Sequence, residues 1–255
     1  MCNVNFDWNN VPAYEWDGET EVQTISSFKT LSQQLTSALA VNDNDRQRED
    51  VKQAIGKILD WGHISMKDGG IDEFVSAIIE MNQEYAGLQR NDVDFERKVT
   101  EILKRGRREN DWRISSWSKI LAAWKPGVFF IYDSRVAIGL TAVYPDIKWT
   151  IPSARGKNSI FGFVSAEIKR ETTLDMPSSY CKYLKIIQTL SGCTKINFKG
   201  FTDLQPKMAH VEKLLFMIPE MLTYHVQISL DGRNLPGFSC EIKPGARKNK
   251  NKSNQ

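Results

Sequence analysis

Apolar positions recur at intervals of three and four through most of the chain, which predicts a succession of amphipathic helices. Ile25, Phe28, Leu31, Leu35, Ala38 and Leu39 mark the first, over Thr24 to Ala40, with Ser26 or Ser27 to cap it. Asn42 to Arg46 reads as a turn. Val51, Ala54, Ile55, Ile58 and Leu59 share one face of the second helix, which Gly62 ends. After the break at Asp68-Gly69-Gly70, the segment Ile71 to Tyr85 turns Phe74, Val75, Ile78, Ile79 and Met81 inward. A fourth helix starts at Asp92 and buries Phe95, Val99, Ile102 and Leu103. Ser178 to Leu190 repeats the pattern with Tyr183, Leu184, Ile187 and Leu190, capped by Ser178 or Ser179 and stopped by Gly192. Asp203 to Leu222 is the last long helix, with Pro219 bending its end. Strand-like alternation is confined to 224–230, so the fold class is mainly α.

Three stretches escape the period. Residues 1–22 scatter Trp8, Pro12, Tyr14, Trp16 and Gly18, which reads as an irregular N-terminal segment whose aromatics pack on the body or, alternatively, wall a binding pocket. The 141–177 region carries a loop in which Pro152 and Gly156 accompany Arg155, Lys157, Asn158 and Ser159, a place for a phosphate or a base substituent to be gripped and equally an ordinary solvated loop. The 243–255 tail is basic, without acids, and is expected to be disordered. Between them, 23–242 forms one helical domain.

The balance of 34 Lys and Arg against 31 Asp and Glu leaves a net charge of only +3, so affinity for nucleic acid has to come from local clusters. One such cluster is Lys104-Arg105-Gly106-Arg107-Arg108, which suits either a solvated helix end or a DNA phosphate. Hydrophobic residues make up 41% and no apolar run is long enough to span a bilayer, which together with an N-terminus unlike a signal peptide predicts a cytoplasmic protein. Cys2, Cys181, Cys193 and Cys240 lack paired spacing, and His63, His210 and His225 lack metal-ligand spacing. No metal or other cofactor is expected.

The chemistry concentrates between Arg113 and Leu140. Ile120, Leu121 and Trp124 are helically spaced, Lys125-Pro126-Gly127 breaks the helix, and Val128 to Tyr132 runs apolar into Asp133. Asp133 precedes Val136, Ala137 and Leu140 and therefore sits at the N-terminus of another helix. A plain helix cap accounts for an Asp in that place, since its carboxylate accepts the orphan N–H groups and suits the dipole.

The run Ile131-Tyr132-Asp133-Ser134-Arg135-Val136-Ala137 also resembles the apolar, Asp, any residue, His or Arg, apolar signature of the helix-hairpin-helix superfamily of DNA glycosylases, closest to its 8-oxoguanine-glycosylase-like branch. That branch includes bacterial enzymes that attack modified bases of phage DNA. The resemblance spans about 113–140. It implies a two-lobed helical fold with the active site in the cleft, an Asp133 facing the sugar of a flipped-out nucleotide, and a Schiff-base lysine at Lys119, at the Ser118-Lys119 start of the preceding helix. Fourteen positions separate Lys119 from Asp133, about one turn of ~3.6 residues shorter than the family norm. Where the family's hairpin reads Leu-Pro-Gly-x-Gly, this chain has Ser115-Ser116-Trp117-Ser118.

The implied activity is excision of a modified base from double-stranded DNA by a monomer, in repair or in antiviral defence. The base is either a bulky modified cytosine, such as glucosylated hydroxymethylcytosine, or 8-oxoguanine. Arg135 matches the family position that meets a phosphate, and Ser115, Ser116, Ser118, Arg107, Arg108, Arg155 and Lys157 are further candidates for DNA contact. Trp117 and Trp124 are candidate walls of the base pocket. Asp133 would stabilise the positive charge on the sugar, and Lys119 would displace the base and permit β-elimination. With Lys119 turned to solvent, Asp133 would activate water instead. A non-catalytic DNA-binding module on the same scaffold, and a helical interaction protein unrelated to DNA, are the alternatives.

Overall fold

The computed structural model describes residues 6, 8–66, 70–108, 111–144, 146–147, 149–152, 174–198 and 200–225. Among these the fold is mainly α: α1 (Glu21–Leu39), α2 (Asn44–Trp61), α3 (Gly70–Glu84), α4 (Phe95–Arg105), α5 (Ile114–Trp124), α6 (Ser134–Val143), α7 (Met176–Ser191) and α8 (Leu204–His225). None of these helices is long and apolar enough to cross a membrane. A 3-10 turn at Trp8–Asn10 and a two-stranded antiparallel hairpin, β1 (Glu15–Trp16) with β2 (Glu19–Thr20), precede them.

Short-range chemistry explains where the elements start. Asp17 and Gly18 both take positive φ, 53° and 80°, which is what a two-residue hairpin turn of the right twist requires. That Asp-Gly pair makes the expected irregular segment partly a hairpin. Thr20 then caps α1 through a reciprocal box with Gln23, so the helix starts at Glu21, three residues before the expected Thr24, and Ser26 and Ser27 lie within it. Asp43 caps α2 at the N–H of Arg46 and draws the helix back into the expected turn. The capping carboxylate of α7 is Asp175, not Ser178 or Ser179. The last helix runs on to His225, so positions 224 and 225 are helical where a strand was expected; the rest of that stretch lies outside the described residues.

The core is built around α5, in which every residue from Trp117 to Trp124 is buried. It packs on α1 and α2, while α6 and α7 pack on α8. Two glycines set how close these elements come. A Cβ on Gly139 of α6 would stand 2.2 Å from the Leu215 carbonyl oxygen of α8, and one on Gly106 would strike the Trp117 ring at 2.3 Å. Cys181 is a buried free thiol.

Candidate active site

The second half of the link between α5 and α6, Phe129 to Tyr132, is apolar and buried, so its backbone polar groups need partners from elsewhere. They find them in side chains from three helices. The Tyr180 hydroxyl donates to the Phe130 carbonyl at 2.8 Å, and the Tyr183 hydroxyl to that of Ile131 at 2.7 Å. Glu212 of α8 accepts the Ile131 N–H at 3.1 Å, and the Ser118 hydroxyl oxygen accepts that of Tyr132 at 2.9 Å. Burial pushes the phenols of Tyr180 and Tyr183 well above their ordinary value, so they remain protonated donors. The chain therefore arrives at Asp133 along a clamped path.

Asp133 caps α6: one oxygen accepts the N–H groups of Arg135 and Val136 at 3.0 and 3.1 Å. The other faces Lys119, with 3.9 Å between Oδ2 and Nζ. Cap and candidate catalytic group are thus the same side chain used on two sides. Lys119 is not a surface lysine, since its side chain is only 8% exposed against 17% for Asp133. Its amine donates to the Ser115 carbonyl at 3.1 Å, and its methylenes lie where a Cβ on Gly62 would meet them at 2.6 Å. Helix α5 begins at Ile114, four residues ahead of the expected start, which places Lys119 in its second turn rather than its first.

Burial pushes the Lys119 amine below its ordinary value; the carboxylates of Asp133 and Glu212 pull it back, and the Lys213 cation adds to the lowering. Lys213 takes the opposite course. Burial alone would lower it, but the adjoining Glu212 carboxylate, 3.1 Å from Nζ, together with Tyr14 and Glu21, leaves it raised. The site thus holds one amine biased toward its nucleophilic form and another kept as a cation.

The remaining candidates separate into distinct places. Ser118 is fully buried in the clamp on Tyr132, and Ser115 and Ser116 are half-buried in the first turn of α5, not in a loop. Ser118 therefore presents no hydroxyl to a DNA backbone. Trp117 and Trp124 belong to the core: Trp117 is stacked on Phe74 and donates to the Ile102 carbonyl, and Trp124 is stacked on Phe129 and donates to the Asn82 side chain. Neither offers a free face to a base, because each ring fills a gap between helices that the apolar period required to be filled. Arg135 is half-buried, with its guanidinium 4.7 Å above the Phe216 ring. Arg107 and Arg108 are exposed on the turn between α4 and α5, Arg107 over the Trp112 ring at 4.8 Å and Arg108 with Nε 3.6 Å from Glu73. Arg155 and Lys157 lie outside the described residues.

Several site residues escaped the sequence reading. Glu212 and Lys213 were detectable, as a charged pair interrupting the apolar run of α8 from Val211 to Ile218. Tyr14 stood only among the N-terminal aromatics weighed as packing or as a pocket wall, and Trp61 carried no signal, because an isolated half-buried aromatic looks the same wherever it packs. Clefts lined by Tyr85, Leu88 and Glu101, and by Gln34, Val41 and Gln53, lie away from Lys119. Among the described residues no cluster of His, Cys, Asp and Glu is arranged to hold a metal ion. No family model, curated protein or solved structure matches this chain.

Proposed function

We infer that the protein is a DNA N-glycosylase, and that Lys119 and Asp133 are its catalytic pair. The observation that carries the reading is a buried amine 3.9 Å from a carboxylate held at a helix N-terminus. A surface helix cap needs no buried lysine beside it, and burying one without purpose is costly.

In the reaction the Lys119 nitrogen attacks C1′ of an extruded nucleotide as the C1′–N bond breaks, and the bond electrons leave with the base, which takes up a proton. Asp133 offsets the positive charge that builds on the sugar. Loss of a proton from the new ammonium and opening of the sugar ring give an iminium, from which β-elimination cleaves the strand. Burial of Lys119 lowers its value and so favours the unprotonated amine that the first step needs. The full arrangement in this reading is two helical lobes around a cleft, with Arg107, Arg108 and Arg135 near the DNA backbone. A modified cytosine of phage DNA is the favoured target over 8-oxoguanine, and the setting is a cytoplasmic monomer acting in defence or repair.

The test uses duplexes with single modified bases, scored for free base and for an adduct trapped by borohydride, which reduces the C=N bond. Adduct formed by the native chain and absent from Lys119→Gln supports the reading. Release of base without adduct, lost in Asp133→Asn, points to a water-activating enzyme. DNA bound but left intact by all three proteins makes the chain a non-catalytic binding module.

A further inference from the structure

The proposed reaction changes the charge of one protein atom. The Lys119 nitrogen enters it neutral and ends it as a positively charged iminium, and the sugar carries positive charge on the way. Negative charge held near the amine favours that change. Asp133 supplies one such charge, and a second comes from α8.

Glu212 is 7% exposed, and both of its carboxylate oxygens are engaged: Oε2 accepts the Ile131 N–H and Oε1 the Lys213 ammonium, each at 3.1 Å. The first bond fixes the carboxylate to the chain two residues before Asp133. Holding a backbone N–H does not call for a charge, since the next N–H along, that of Tyr132, is held by the neutral Ser118 hydroxyl. The Phe130 and Ile131 carbonyls are likewise held by neutral phenols. A carboxylate is harder to bury than any of these groups, so its charge needs another account. Pairing with Lys213 does not provide one, because a buried ion pair is often no more stable than apolar side chains filling the same volume.

That account lies in what surrounds Lys119. Among the described residues, the charges that act on its amine are Asp133 at the head of α6 and Glu212 and Lys213 on α8. Glu21 of α1, held by His210 at 2.7 Å, acts in turn on Lys213. With Lys119 protonated, the two carboxylates and the two ammonium groups balance. With Lys119 neutral, one negative charge is in excess, and formation of the iminium restores the balance.

We propose that Glu212 is a positioning residue of the glycosylase site: its buried carboxylate, fixed by the Ile131 N–H and Lys213, provides the excess negative charge that favours the cationic state of the sugar and the Lys119 nitrogen. The proposal rests on the glycosylase reading and adds to it a residue that acts through Lys119. The Glu212 field favours the ammonium before the reaction as well as the iminium after it. Removing the charge therefore lowers the pH at which the amine becomes neutral, and slows the step once it is neutral.

The experiment follows the rate of borohydride-trapped adduct against pH, using the full chain and the modified duplex on which the native protein forms most adduct. Glu212→Gln keeps an acceptor for the Ile131 N–H and removes the charge. Its midpoint is expected at lower pH and its plateau about tenfold or more below the native one. Glu212→Asp keeps the charge with a shorter reach, and should hold the native midpoint and a plateau within about threefold of native. Glu212→Gln combined with Lys213→Met removes one charge of each sign, so its plateau should recover toward the native one. The plateau is read above the histidine range, where the His210 contact with Glu21 no longer titrates. An unchanged plateau in Glu212→Gln would overturn the proposal, and so would a double variant as slow as Glu212→Gln, because a plain clamp on the Ile131 N–H predicts no rescue by Lys213→Met. Where an unpaired Lys213 unfolds Glu212→Gln, the Asp variant decides, since it keeps Lys213 paired: a native midpoint and plateau support the role, and a tenfold loss overturns it. Absence of adduct from the native chain at every pH would overturn the Lys119 reaction itself, and the proposal with it.

Discussion

Lys119 and Lys213 show how neighbouring residues of one type acquire different chemistry. Lys119 is desolvated with its nearest carboxylate at 3.9 Å, whereas Lys213 is equally buried but has a carboxylate at 3.1 Å. For Lys119 the folded value lies below the unfolded one, so protonation opposes folding and stability rises with pH between the two values. Lys213 has the reverse sign: its contribution is present below the unfolded value and is lost as pH climbs through the raised one. Lys119→Met should therefore stabilise the fold at neutral pH, by on the order of 1 kcal/mol, and Lys213→Met should destabilise it by about 3 kcal/mol through the unpaired Glu212. Urea denaturation of the two variants reads the signs directly. Under the proposed mechanism the same fields would set the pH dependence of adduct formation, which should rise through a midpoint below the ordinary lysine value. Asp133→Asn removes a field that raises Lys119, so whatever trapping survives should have its midpoint at lower pH; a midpoint moved upward contradicts the arrangement.

At the scale of elements, glycine decides how near a helix end or face comes to the site. Gly62 closes α2 at φ −80°, which an alanine adopts without strain, but the new methyl would occupy the space of the Lys119 Cδ and Cε. Since that side chain is flexible, Gly62→Ala should cost only about 1 kcal/mol of stability and yet displace the amine, lowering the trapping rate by about tenfold or more. Gly139→Ala differs, because its methyl would meet backbone of α8 at 2.2 Å and neither helix yields cheaply. It should destabilise by several kcal/mol, at the upper end of overpacking costs of about 1–3 kcal/mol, and broaden thermal unfolding. The clamp makes a third case: Ser118→Ala deprives the Tyr132 N–H of its acceptor, at a cost of about 1–3 kcal/mol. Helix existence was legible in the three-and-four period of Val51 to Leu59 or Phe74 to Met81, because one buried face imposes it. Helix starts were less so, since Thr20, Asp43 and Asp175 compete with nearby Ser and Asn of similar capping strength and the choice is made by packing. Asp133 as a cap was legible because an apolar link precedes it and an apolar helix face follows.

Across the whole molecule, the two levels of legibility meet in how charge is distributed. Local sequence placed Lys119 and Asp133 in one stretch, but the partners that tune them, Glu212 and Lys213 on α8 and Tyr14 before the hairpin, come from opposite ends of the chain, and no periodicity reports which distant helices will touch. The basic cluster before α5 behaves likewise. Arg105 is drawn into contact with Glu80 and Glu84 at 2.6 Å each, and Arg113 with Glu73 at 2.7 Å. Arg107 and Arg108 remain as the exposed arginines of that turn, Arg108 with its carboxylate contact stretched to 3.6 Å. On the proposed glycosylase reading, a net charge of +3 makes long-range attraction to DNA weak, so each local phosphate contact should carry a large share of the affinity. A cation that neutralises one phosphate contributes about 0.9 to the slope of log affinity against log salt on duplex DNA. Arg107→Ala with Arg108→Ala should therefore flatten that slope by up to about two, whereas Arg105→Ala, already neutralised within the protein, should leave it nearly unchanged. Fluorescence anisotropy across a salt series measures both. An unchanged slope in the double variant would move the DNA away from the α4–α5 turn, and a slope lost in Arg105→Ala would mean that its carboxylate partners exchange for phosphates when DNA arrives.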